Sequence, residues 1–364
     1  MNSLGIYIHV PFCGRKCPYC DFYSLSYDRS SAENYVNAVL RNLTLYSDKS
    51  VTTDTVYFGG GTPSLLTAAQ IDDILCGVRR NFLLDENAEI TLEANPGTLS
   101  PEKLRELHST GVNRLSFGVQ SMLGEELKLL GRTHSADRAA KAVCDAAEAG
   151  FTNISCDLMT ALPEQTPEKL RRSAELLTQL PIQHVSAYIL KAEEGTPFAA
   201  GKLRNSLPDD DTAAELYLET VSLLEERGFM QYEVSNFARK GFESRHNCRY
   251  WKCLDYIGIG PSAHSCYKGK RFAVPRDLAG FILSPMQTTV ITDEAPCGFE
   301  EYAMLRLRLT EGLDLNEVPE HRSDIEKKLP ALINAGLVRH SGSRISLTPE
   351  GFLVSNSVIE RLIF

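Results

Sequence analysis

The sequence predicts an α/β protein built around a parallel sheet covered by helices, with a small α+β unit at its C-terminal end. Two observations predict this fold class. Short apolar segments alternate with helical patterns over the first half of the chain, which is typical of a parallel sheet with helical crossovers. From residue 299 onwards the pattern becomes two helices, a hairpin and a last helix. Six strand–helix units are enough for a curved partial (β/α)6 barrel, and an open doubly wound sheet fits the same alternation.

The individual elements follow from apolar periodicity and from helix-terminal residues. Strands are predicted at residues 5–10, 55–58, 89–93, 114–118, 154–158 and 184–189. Helices are predicted at residues 32–46, 68–80, 101–109, 136–149, 167–178 and 209–227. Caps are expected at Thr67, Ser100 and Thr166, because hydroxyl side chains satisfy the free N–H groups of a first turn. We therefore divide the chain into a barrel (1–205), an extension of it (206–297) and a winged-helix-like C-terminal domain (298–364).

Composition limits the function classes. The chain has 364 residues, a net charge of −9 and 23% charged residues, so it lacks the basic character of a nucleic-acid or anionic-membrane binder. No apolar run is long enough to span a bilayer, which leaves only peripheral association with a membrane open. The N-terminus does not resemble a signal peptide. We therefore expect a cytoplasmic protein whose ten cysteines are reduced thiols or metal ligands.

Three cysteines near the N-terminus, Cys13, Cys17 and Cys20, are spaced C-x3-C-x2-C. Structural zinc takes four ligands, whereas clustered thiolates suit a [4Fe–4S] cluster, in which three protein ligands would leave one iron open. The alternatives are a zinc knuckle or unrelated thiols. Surrounding aromatic residues would shield a cluster, and Arg15 and Lys16 would offset its charge. Most of the other seven cysteines are interpreted as small buried hydrophobic residues.

Unusual residues follow several successive predicted strands. A glycine-rich turn at 59–62 follows the second strand, Glu93 ends the third, Gln120 follows the fourth and Asp157 lies late in the fifth. In α/β folds the carboxyl ends of the strands carry the site, so these side chains are expected at one rim. The competing interpretation is that the carboxylates cap neighbouring helices.

The cysteine spacing after an apolar strand resembles the signature of the radical S-adenosylmethionine (SAM) family. In that family three thiolates hold a [4Fe–4S] cluster and SAM chelates the fourth iron. FGGGTPS at 58–64 resembles the family's second motif, whose backbone lines the amino end of SAM; glycine permits such close approach. The resemblance implies the radical SAM partial (β/α)6 barrel.

A closer resemblance, to the oxygen-independent coproporphyrinogen III oxidase (HemN) family and its HemW haem-chaperone branch, covers the chain from about residue 5 to its end. It rests on IYIHVPFC, FGGGTPS, LEANPG, LSFGVQS, GRTHS, DLMTALPEQT and SAYIL. By position, this resemblance implies contacts to SAM from Tyr7, Tyr19, Gly60, Gly61, Thr62, Glu93, Gln120, Arg132 and Asp157.

Departures from the oxidase pattern favour the chaperone branch. The oxidase has a further cysteine where this chain has Phe22, and a long N-terminal extension where twelve residues precede Cys13 here. A smaller departure lies at Ala161 and Glu164, where the family usually has glycine. This departure puts the local loop geometry in doubt.

The segment RHNCRYW contains His246, Asn247, Tyr250 and Trp251, which match the HNxxYW motif associated with haem in HemW. Imidazole is a common haem ligand and flat aromatic rings can stack on a porphyrin. The alternative is that the aromatic residues pack in the core and His246 belongs to a hydrogen-bond network. Cys248 and Cys253 remain competing thiolate ligands.

Two functions follow from these resemblances. The first is a haem chaperone that binds the cluster, SAM and haem and delivers haem to acceptor proteins, with respiratory proteins as the expected targets. The second is anaerobic decarboxylation of coproporphyrinogen III, in which the cofactors carry the radical chemistry. A zinc-stapled α/β protein is a third. The sequence leaves homodimerisation open.

Overall fold

A computed structural model describes residues 3–364. Its main feature is a twelve-stranded mixed sheet, and the remaining strands of the described residues form a three-stranded and a two-stranded sheet. The strands are β1 (Ser3–Val10), β2 (Phe12–Cys13), β3 (Leu25–Ser26), β4 (Asp48–Gly60), β5 (Phe82–Ala94), β6 (Arg114–Gln120), β7 (Ile154–Thr160), β8 (His184–Ile189), β9 (Met230–Gln231), β10 (Asn236–Ala238), β11 (Tyr256–Ile259), β12 (His264–Tyr267), β13 (Lys270–Ala273), β14 (Val290–Asp293), β15 (Leu313–Asp314), β16 (Val338–Ser341) and β17 (Arg344–Leu347).

Fourteen α-helices accompany these strands within residues 3–364. They are α1 (Arg29–Leu45), α2 (Ala68–Asn81), α3 (Pro101–Thr110), α4 (Gly124–Leu129), α5 (Ala136–Glu148), α6 (Pro167–Thr178), α7 (Pro197–Ala200), α8 (Asp210–Glu226), α9 (Arg245–Trp251), α10 (Leu278–Leu283), α11 (Phe299–Arg306), α12 (Pro319–Asn334), α13 (Pro349–Leu353) and α14 (Ser355–Ile363). Short 3₁₀ turns lie at Pro63–Leu65 and Lys202–Ser206. None of these helices combines the length and the apolar composition that a membrane crossing requires.

The order of the strands selects the barrel over the doubly wound sheet. β1, β4, β5, β6, β7 and β8 are neighbours in chain order and pair in parallel. A doubly wound sheet reverses its order at a switch point. Here every crossover advances in one direction, so right-handed connections place their helices on one face and the sheet curls. The prediction of a partial (β/α)6 barrel is confirmed.

The helices that cover this barrel are amphipathic. On α5 the buried residues are Ala139, Ala142, Val143 and Ala146, at the spacing of one helical face. The predicted caps are also present: Thr67 forms a reciprocal capping box with Gln70, and Ser100 and Thr166 accept from the third residue of α3 and α6.

Two parts of the sheet were absent from the sequence prediction. Beside β1, the chain adds β11 in parallel and then β12, β13 and β14; beside β8 it adds β10 and β9. The segment 206–297 therefore extends the barrel sheet on both sides. The sequence predicts no element at the glycine-rich run that contains β11, because four residues that include Gly258 give too little periodicity to predict a strand.

The loop after β7 contains two non-glycine residues in a left-handed backbone conformation. Ala161 has φ 55° and Glu164 has φ 57°, the left-handed region that glycine adopts more readily than other residues. Glycine at these two positions in the family would therefore have a backbone reason, and this chain adopts the left-handed conformation there with side chains present.

The C-terminal unit contains the antiparallel sheet β15–β17–β16 and helices α11 to α14. Its buried residues, among them Ile325, Leu329 and Val358, belong to the same continuous apolar cluster as the barrel core. The unit is therefore packed against the barrel and its extension through apolar contacts.

Candidate cluster and cofactor site

A cavity of about 460 Å³ opens at the carboxyl ends of the barrel strands. The sequence-predicted residues that line it are Cys13, Cys17, Cys20, Tyr19, Gly60, Gly61, Thr62, Glu93, Gln120, Arg132, Asp157 and Asn247. The prediction that successive strand ends aim these residues at one rim is confirmed. Tyr7, His246, Tyr250 and Trp251 do not line this cavity.

The cysteine loop connects β1 to α1. The short strands β2 and β3 pair in parallel, and Tyr27 donates from its backbone N–H to the carbonyl of Cys13 over 3.0 Å. The N–H of Cys20 donates to the carbonyl of Cys17 over 3.2 Å, which folds the middle of the loop into a turn. All three thiols are half-exposed, so the loop presents them toward the cavity and not into the core.

Side chains from two other strand ends contact this loop. Arg132 donates from Nη1 to the Cys17 sulfur over 3.4 Å and from Nη2 to the Gly118 carbonyl over 2.5 Å. The Thr62 hydroxyl lies 3.5 Å from the Cys13 sulfur. Burial raises the pKa of the Tyr19 hydroxyl, and the nearby charge of Arg132 acts in the opposite direction. These contacts orient two of the three sulfur atoms before any ligand is bound.

The donor set fits a cluster better than a single ion. Among residues 3–364, no three Cys, His, Asp or Glu side chains converge on one position for a metal ion. A cluster takes one thiolate per iron and therefore needs no such convergence. The contacts of Arg132 and Thr62 with sulfur are of the kind that stabilises thiolate ligands and tunes cluster potential, because a guanidinium and a hydroxyl can both donate to a thiolate.

The glycine-rich turn at the end of β4 packs the cysteine loop onto the sheet. Gly60 has φ 108°, and a Cβ there would lie 2.7 Å from the His9 ring. A Cβ on Gly61 would lie 2.5 Å from the Phe12 carbonyl oxygen. Thr62 donates from its backbone N–H to that same carbonyl over 2.7 Å. The sequence predicts that these glycines admit a ligand; in the structure Gly60 makes room for the His9 ring and Gly61 for the Phe12 backbone.

Glu93 is the central acidic group of the cavity. It accepts from the Tyr57 hydroxyl over 2.8 Å and from the Gly60 N–H over 3.1 Å. Burial raises the pKa of its carboxyl to about 7. These two hydrogen bonds occupy only part of the acceptor capacity of a carboxylate, so Glu93 can still accept from a ligand's hydroxyl groups.

Asp157 lies on β7, facing the same space. Burial raises the pKa of its carboxyl to about 6, and Ser116 donates to it over 3.4 Å. Gln120 adopts φ 73° where the β6–β7 register shifts, so the strand end turns here. The capping alternative does not hold for Glu93, because its oxygens accept from Tyr57 and Gly60 and not from a helix N-terminus.

Arg114, which the sequence analysis did not single out, lies at the floor of the cavity. It is among the largest fully buried side chains of the structure, and nearby Glu89, Tyr57 and Asp157 interact with its charge. An arginine at the start of an apolar strand, RLSFGV, is the signal that could have found it, since a buried charge needs partners.

The site also fits SAM on its own contacts. The Arg132 Nε–H is buried and has no hydrogen-bond partner among the described residues, which leaves a donor directed beside Cys17. The carboxyls of Glu93 and Asp157 are buried with acceptor capacity remaining. An adenosine ribose, an amine and a carboxylate would together complement these groups.

The helix α9 carries the RHNCRYW segment, and most of its polar groups face the protein. His246 is fully buried (0% exposed), with Nδ1 hydrogen-bonded to Thr55 and Nε2 to the Tyr250 hydroxyl, both at 2.8 Å. Its ring stacks on Tyr57 at 5.1 Å between centroids. Burial lowers the pKa of its imidazole to about 3. The structure thus places His246 in the hydrogen-bond network named above as the alternative to a haem ligand.

Other contacts hold α9 beneath the cavity. Arg249 is buried and donates to Asp54 over 2.5 Å and to the carbonyls of Ser3 and Asp255. Tyr250 packs edge-on against Tyr256 at 4.6 Å. Tyr7 lies in the same layer, its hydroxyl 3.1 Å from His9 Nδ1; it sits mid-strand, which explains why it does not reach the rim. Trp251 is half-buried at the end of the helix.

Aromatic side chains lie at the mouth of the cavity. Phe22 is 61% exposed and Tyr188 is 42% exposed, and both line the opening. The position of the additional oxidase cysteine is thus occupied by an apolar ring at the edge of the cysteine loop. Exposed aromatic surface next to a cavity is typical of a site that contacts a partner or a ligand.

Comparison with protein families identifies both parts of the chain. The model described as radical SAM superfamily matches residues 7–177. The model described as HemN C-terminal domain matches residues 299–354. These segments correspond to the barrel and to the small C-terminal unit.

Curated relatives match the chain from end to end. The haem chaperone HemW of Escherichia coli K12 is 34% identical, with 99% of this chain and 98% of that protein covered. The HemW of Bacillus subtilis 168 is 35% identical, with 97% of each covered. The crystal structure of E. coli coproporphyrinogen III oxidase (HemN), a radical SAM enzyme, superposes with a TM-score of 0.84 at 22% identity, covering 100% of this chain and 90% of that one. The chain therefore belongs to the HemN-like branch of the radical SAM superfamily, in the family of the haem chaperones HemW.

Proposed function

We propose that this protein is a haem chaperone: it binds a [4Fe–4S] cluster, SAM and haem, and delivers haem to acceptor proteins in the cytoplasm or at its membrane. The observation that carries the proposal is the extent of similarity. Relatives named as haem chaperones match over nearly their whole length at 33–35% identity, and not through the barrel alone. We further propose that the acceptors include respiratory haem proteins.

The proposed roles at the cluster end follow from the contacts above. Cys13, Cys17 and Cys20 are the thiolate ligands, and Arg132 and Thr62 hold two of the sulfur atoms in place. When bound, the cluster supplies an open iron site to which SAM can coordinate. Phe22 cannot supply a fourth thiolate, so the open iron site would remain available to a ligand that is not part of the protein.

The proposed SAM contacts come from Tyr19, the Gly60–Thr62 turn, Glu93, Gln120, Arg132 and Asp157, all of which line the cavity. Glu93 and Asp157 accept hydrogen bonds from hydroxyl or amine groups of the ligand, and Arg132 donates to its carboxylate. Tyr7 acts indirectly, since its hydroxyl is joined to His9 below the cysteine loop.

Different residues of α9 have different proposed roles in haem binding. We propose that Asn247, which lines the cavity, contacts bound haem directly. His246 and Tyr250 position α9 through their mutual hydrogen bond and through Thr55. Trp251 contributes an apolar flank at the end of the helix. The exposed rings of Phe22 and Tyr188 offer flat apolar surface to a porphyrin at the cavity mouth.

Haem titration of the cluster-loaded protein tests this proposal. We expect saturable binding, a loss of at least about tenfold in affinity for Asn247→Ala, and transfer of bound haem to an apo-haemoprotein. Cys76→Ser, at an exposed position on α2, is the control and should bind like the parent. Failure of the loaded protein to bind haem would contradict the proposal. So would anaerobic conversion of coproporphyrinogen III to protoporphyrinogen IX with SAM and a reductant, because that result would make the protein the oxidase.

A further inference from the structure

Arg114 places a buried positive charge at the floor of the cavity. The residue lines the cavity but is only 1% exposed. Its Nε–H has no hydrogen-bond partner among the described residues. Burying a cation without partners is costly, so this side chain has donor capacity that the protein itself does not fill.

Arg249 shows how the same fold satisfies a buried arginine that has a structural role. It is 2% exposed and donates to the Asp54 carboxylate and to the carbonyls of Ser3 and Asp255. Its guanidinium also forms an ion pair with Asp54, whereas the ion pairs within residues 3–364 do not include Arg114. The two arginines are equally buried, but only one of them is surrounded by acceptors.

The carboxyls nearest to Arg114 are hydrogen-bonded to other groups. Glu89 accepts from the backbone N–H groups of the first two residues of α9, over 3.1 and 3.0 Å, and so caps that helix. Asp157 accepts from a serine hydroxyl on β6 over 3.4 Å. Both carboxyls offset the charge of Arg114 from a distance, but their hydrogen bonds serve these other donors.

The cavity extends from the rim of the barrel down to Arg114. On β6 its lining residues are Arg114, Ser116, Gly118 and Gln120, which alternate along one face of the strand. The first and last of these are six positions apart, roughly 20 Å of extended chain. Because Ser116 pairs with Glu93, Arg114 lies one layer of side chains below Glu93, and further below the cysteine loop.

The chemistry of the floor favours a carboxylate as its ligand. A guanidinium binds carboxylates and phosphates through paired N–H donors. Glu93 and Asp157 lie in the same cavity, and their charge would repel a doubly charged phosphate more strongly than a singly charged carboxylate. SAM has one carboxylate, which is proposed to lie at Arg132 beside the cysteine loop. Haem has two, each at the end of a propionate arm on one edge of its ring.

We propose that Arg114 binds a propionate carboxylate of haem at the floor of the cavity. This inference rests on the proposed function, because it names the group by which the same cavity would recognise haem. Asn247, the proposed haem contact on α9, lines the same cavity. A flexible two-carbon arm can reach a depth that the rigid ring does not, so haem would be recognised by its acidic edge as well as by its flat face.

Two forms of haem test this contact. The full-length, cluster-loaded protein is titrated with haem and with haem dimethyl ester, whose propionates carry no charge, in the same detergent buffer. We expect the parent to bind haem at least about tenfold more tightly than the ester, because a charged hydrogen bond is lost with the carboxylate. Arg114→Met should bind the ester like the parent, and should bind haem no more tightly than the ester.

Two further variants complete the test. Arg114→Lys keeps the charge without the paired donors, so it should show a preference for haem that is smaller than that of the parent. Arg105→Met, on the exposed side of α3, should keep the full preference. Iron and acid-labile sulfide are counted first, so that samples of equal cluster content are compared.

The outcomes separate this inference from the proposed function. Equal affinity of the parent for haem and its ester overturns the role of Arg114, and so does a parental preference in Arg114→Met; both results leave the haem chaperone standing. If Arg114→Met does not load the cluster, Arg114→Lys decides, because a preference equal to that of the parent overturns the role. A loaded parent that binds neither form contradicts the proposed function itself.

Discussion

The cysteine loop and the helix α9 lie at two depths of the same barrel and differ in how their polar groups are satisfied. On the loop, three half-exposed thiols are contacted by Arg132 and Thr62 but are not enclosed. On α9, His246 is fully buried and both of its ring nitrogens are hydrogen-bonded to protein groups. Both segments match sequence motifs, yet the thiols of the loop are left uncovered at the cavity, whereas the imidazole of His246 is enclosed by protein groups.

Within a motif, residues that can bind a ligand are distinguished from supporting residues by their unused hydrogen-bonding capacity. A group that binds a ligand needs donor or acceptor capacity that the protein has left unfilled, as at Glu93 and Arg132. A group whose capacity is filled inside the protein acts by holding a backbone in place. In HNxxYW this criterion assigns Asn247 to the first class and His246 and Tyr250 to the second.

The largest expected effect is loss of the cluster from the loop. Replacing Cys17 by serine should reduce iron and acid-labile sulfide after anaerobic reconstitution to near background, because a hydroxyl does not replace a thiolate as iron ligand. Serine at Cys13 or Cys20 should do the same. Cys76→Ser should retain full iron and sulfide. Retention of a full cluster by Cys17→Ser would remove this cysteine from the ligand set.

The second-largest effect distinguishes the proposed ligand-binding residue of α9, Asn247, from the supporting residue His246. His246→Ala removes a buried, stacked and doubly hydrogen-bonded ring, so it should reduce the free energy of unfolding by about 2–4 kcal/mol. Asn247→Ala should reduce it by less than about 1 kcal/mol while weakening haem binding. Thermal unfolding at equal cluster content measures the first quantity and haem titration the second. A stable His246→Ala variant that has lost only haem binding would reverse the assignment.

A pH effect should follow from the buried carboxyls. Burial raises the pKa of Glu93 to about 7 and that of Asp157 to about 6, so ionising them becomes less favourable in the folded state, and their contribution to stability is lost as pH rises through these values. A ligand that donates hydrogen bonds to the carboxylates favours the ionised form. SAM affinity should therefore fall by up to about tenfold per pH unit below about pH 7.

Equilibrium binding of SAM between about pH 5 and about pH 8 measures this dependence. Glu93→Gln keeps the shape of the side chain but cannot ionise, so it should bind more weakly at high pH and show a flatter profile. Glu300→Gln, on the exposed surface of α11, should keep the parental profile. Affinity that rises as the pH falls would contradict the proposed hydrogen bonds to ionised Glu93.

The smallest effect concerns Thr62. Its hydroxyl lies 3.5 Å from the Cys13 sulfur, and hydrogen bonds to cluster sulfur atoms raise the reduction potential. Thr62→Val should therefore lower the potential slightly without loss of iron, as measured by anaerobic redox titration. Thr44→Val, at an exposed position on α1, should leave the potential unchanged. A higher potential in Thr62→Val would rule out this hydrogen bond.

Much of the barrel could be predicted from the sequence because its signals are local. The run 184–189 and the helix 167–178 were predicted with the bounds that the structure shows, since periodicity and a Thr–Pro start define them. β4 and β5 are longer than predicted, because the first half of β4 is mostly polar and a polar run at residues 85–87 interrupts the apolar pattern of β5. The short helix α4 was missed because six residues carry too little periodicity.

The identity of most residues that line the cavity could be predicted from the sequence, but the depth of each side chain below the rim could not. Strand alternation and chain order place Glu93, Gln120 and Asp157 at one rim, and the structure agrees. Nothing local shows that Tyr7 lies below that rim, or that the side chains of His246 and Thr55 are hydrogen-bonded, because the pairing of β1 with β11 and the seating of α9 are long-range.

The most direct test of the central claim is one anaerobic reconstitution followed by two measurements on the same sample. Iron and acid-labile sulfide are counted first, and haem is then titrated. We expect iron and sulfide in equal amounts at one [4Fe–4S] cluster per chain, and saturable haem binding by the loaded protein that Asn247→Ala weakens. Bound zinc without sulfide, or a complete cluster in a protein that does not bind haem, would contradict that claim.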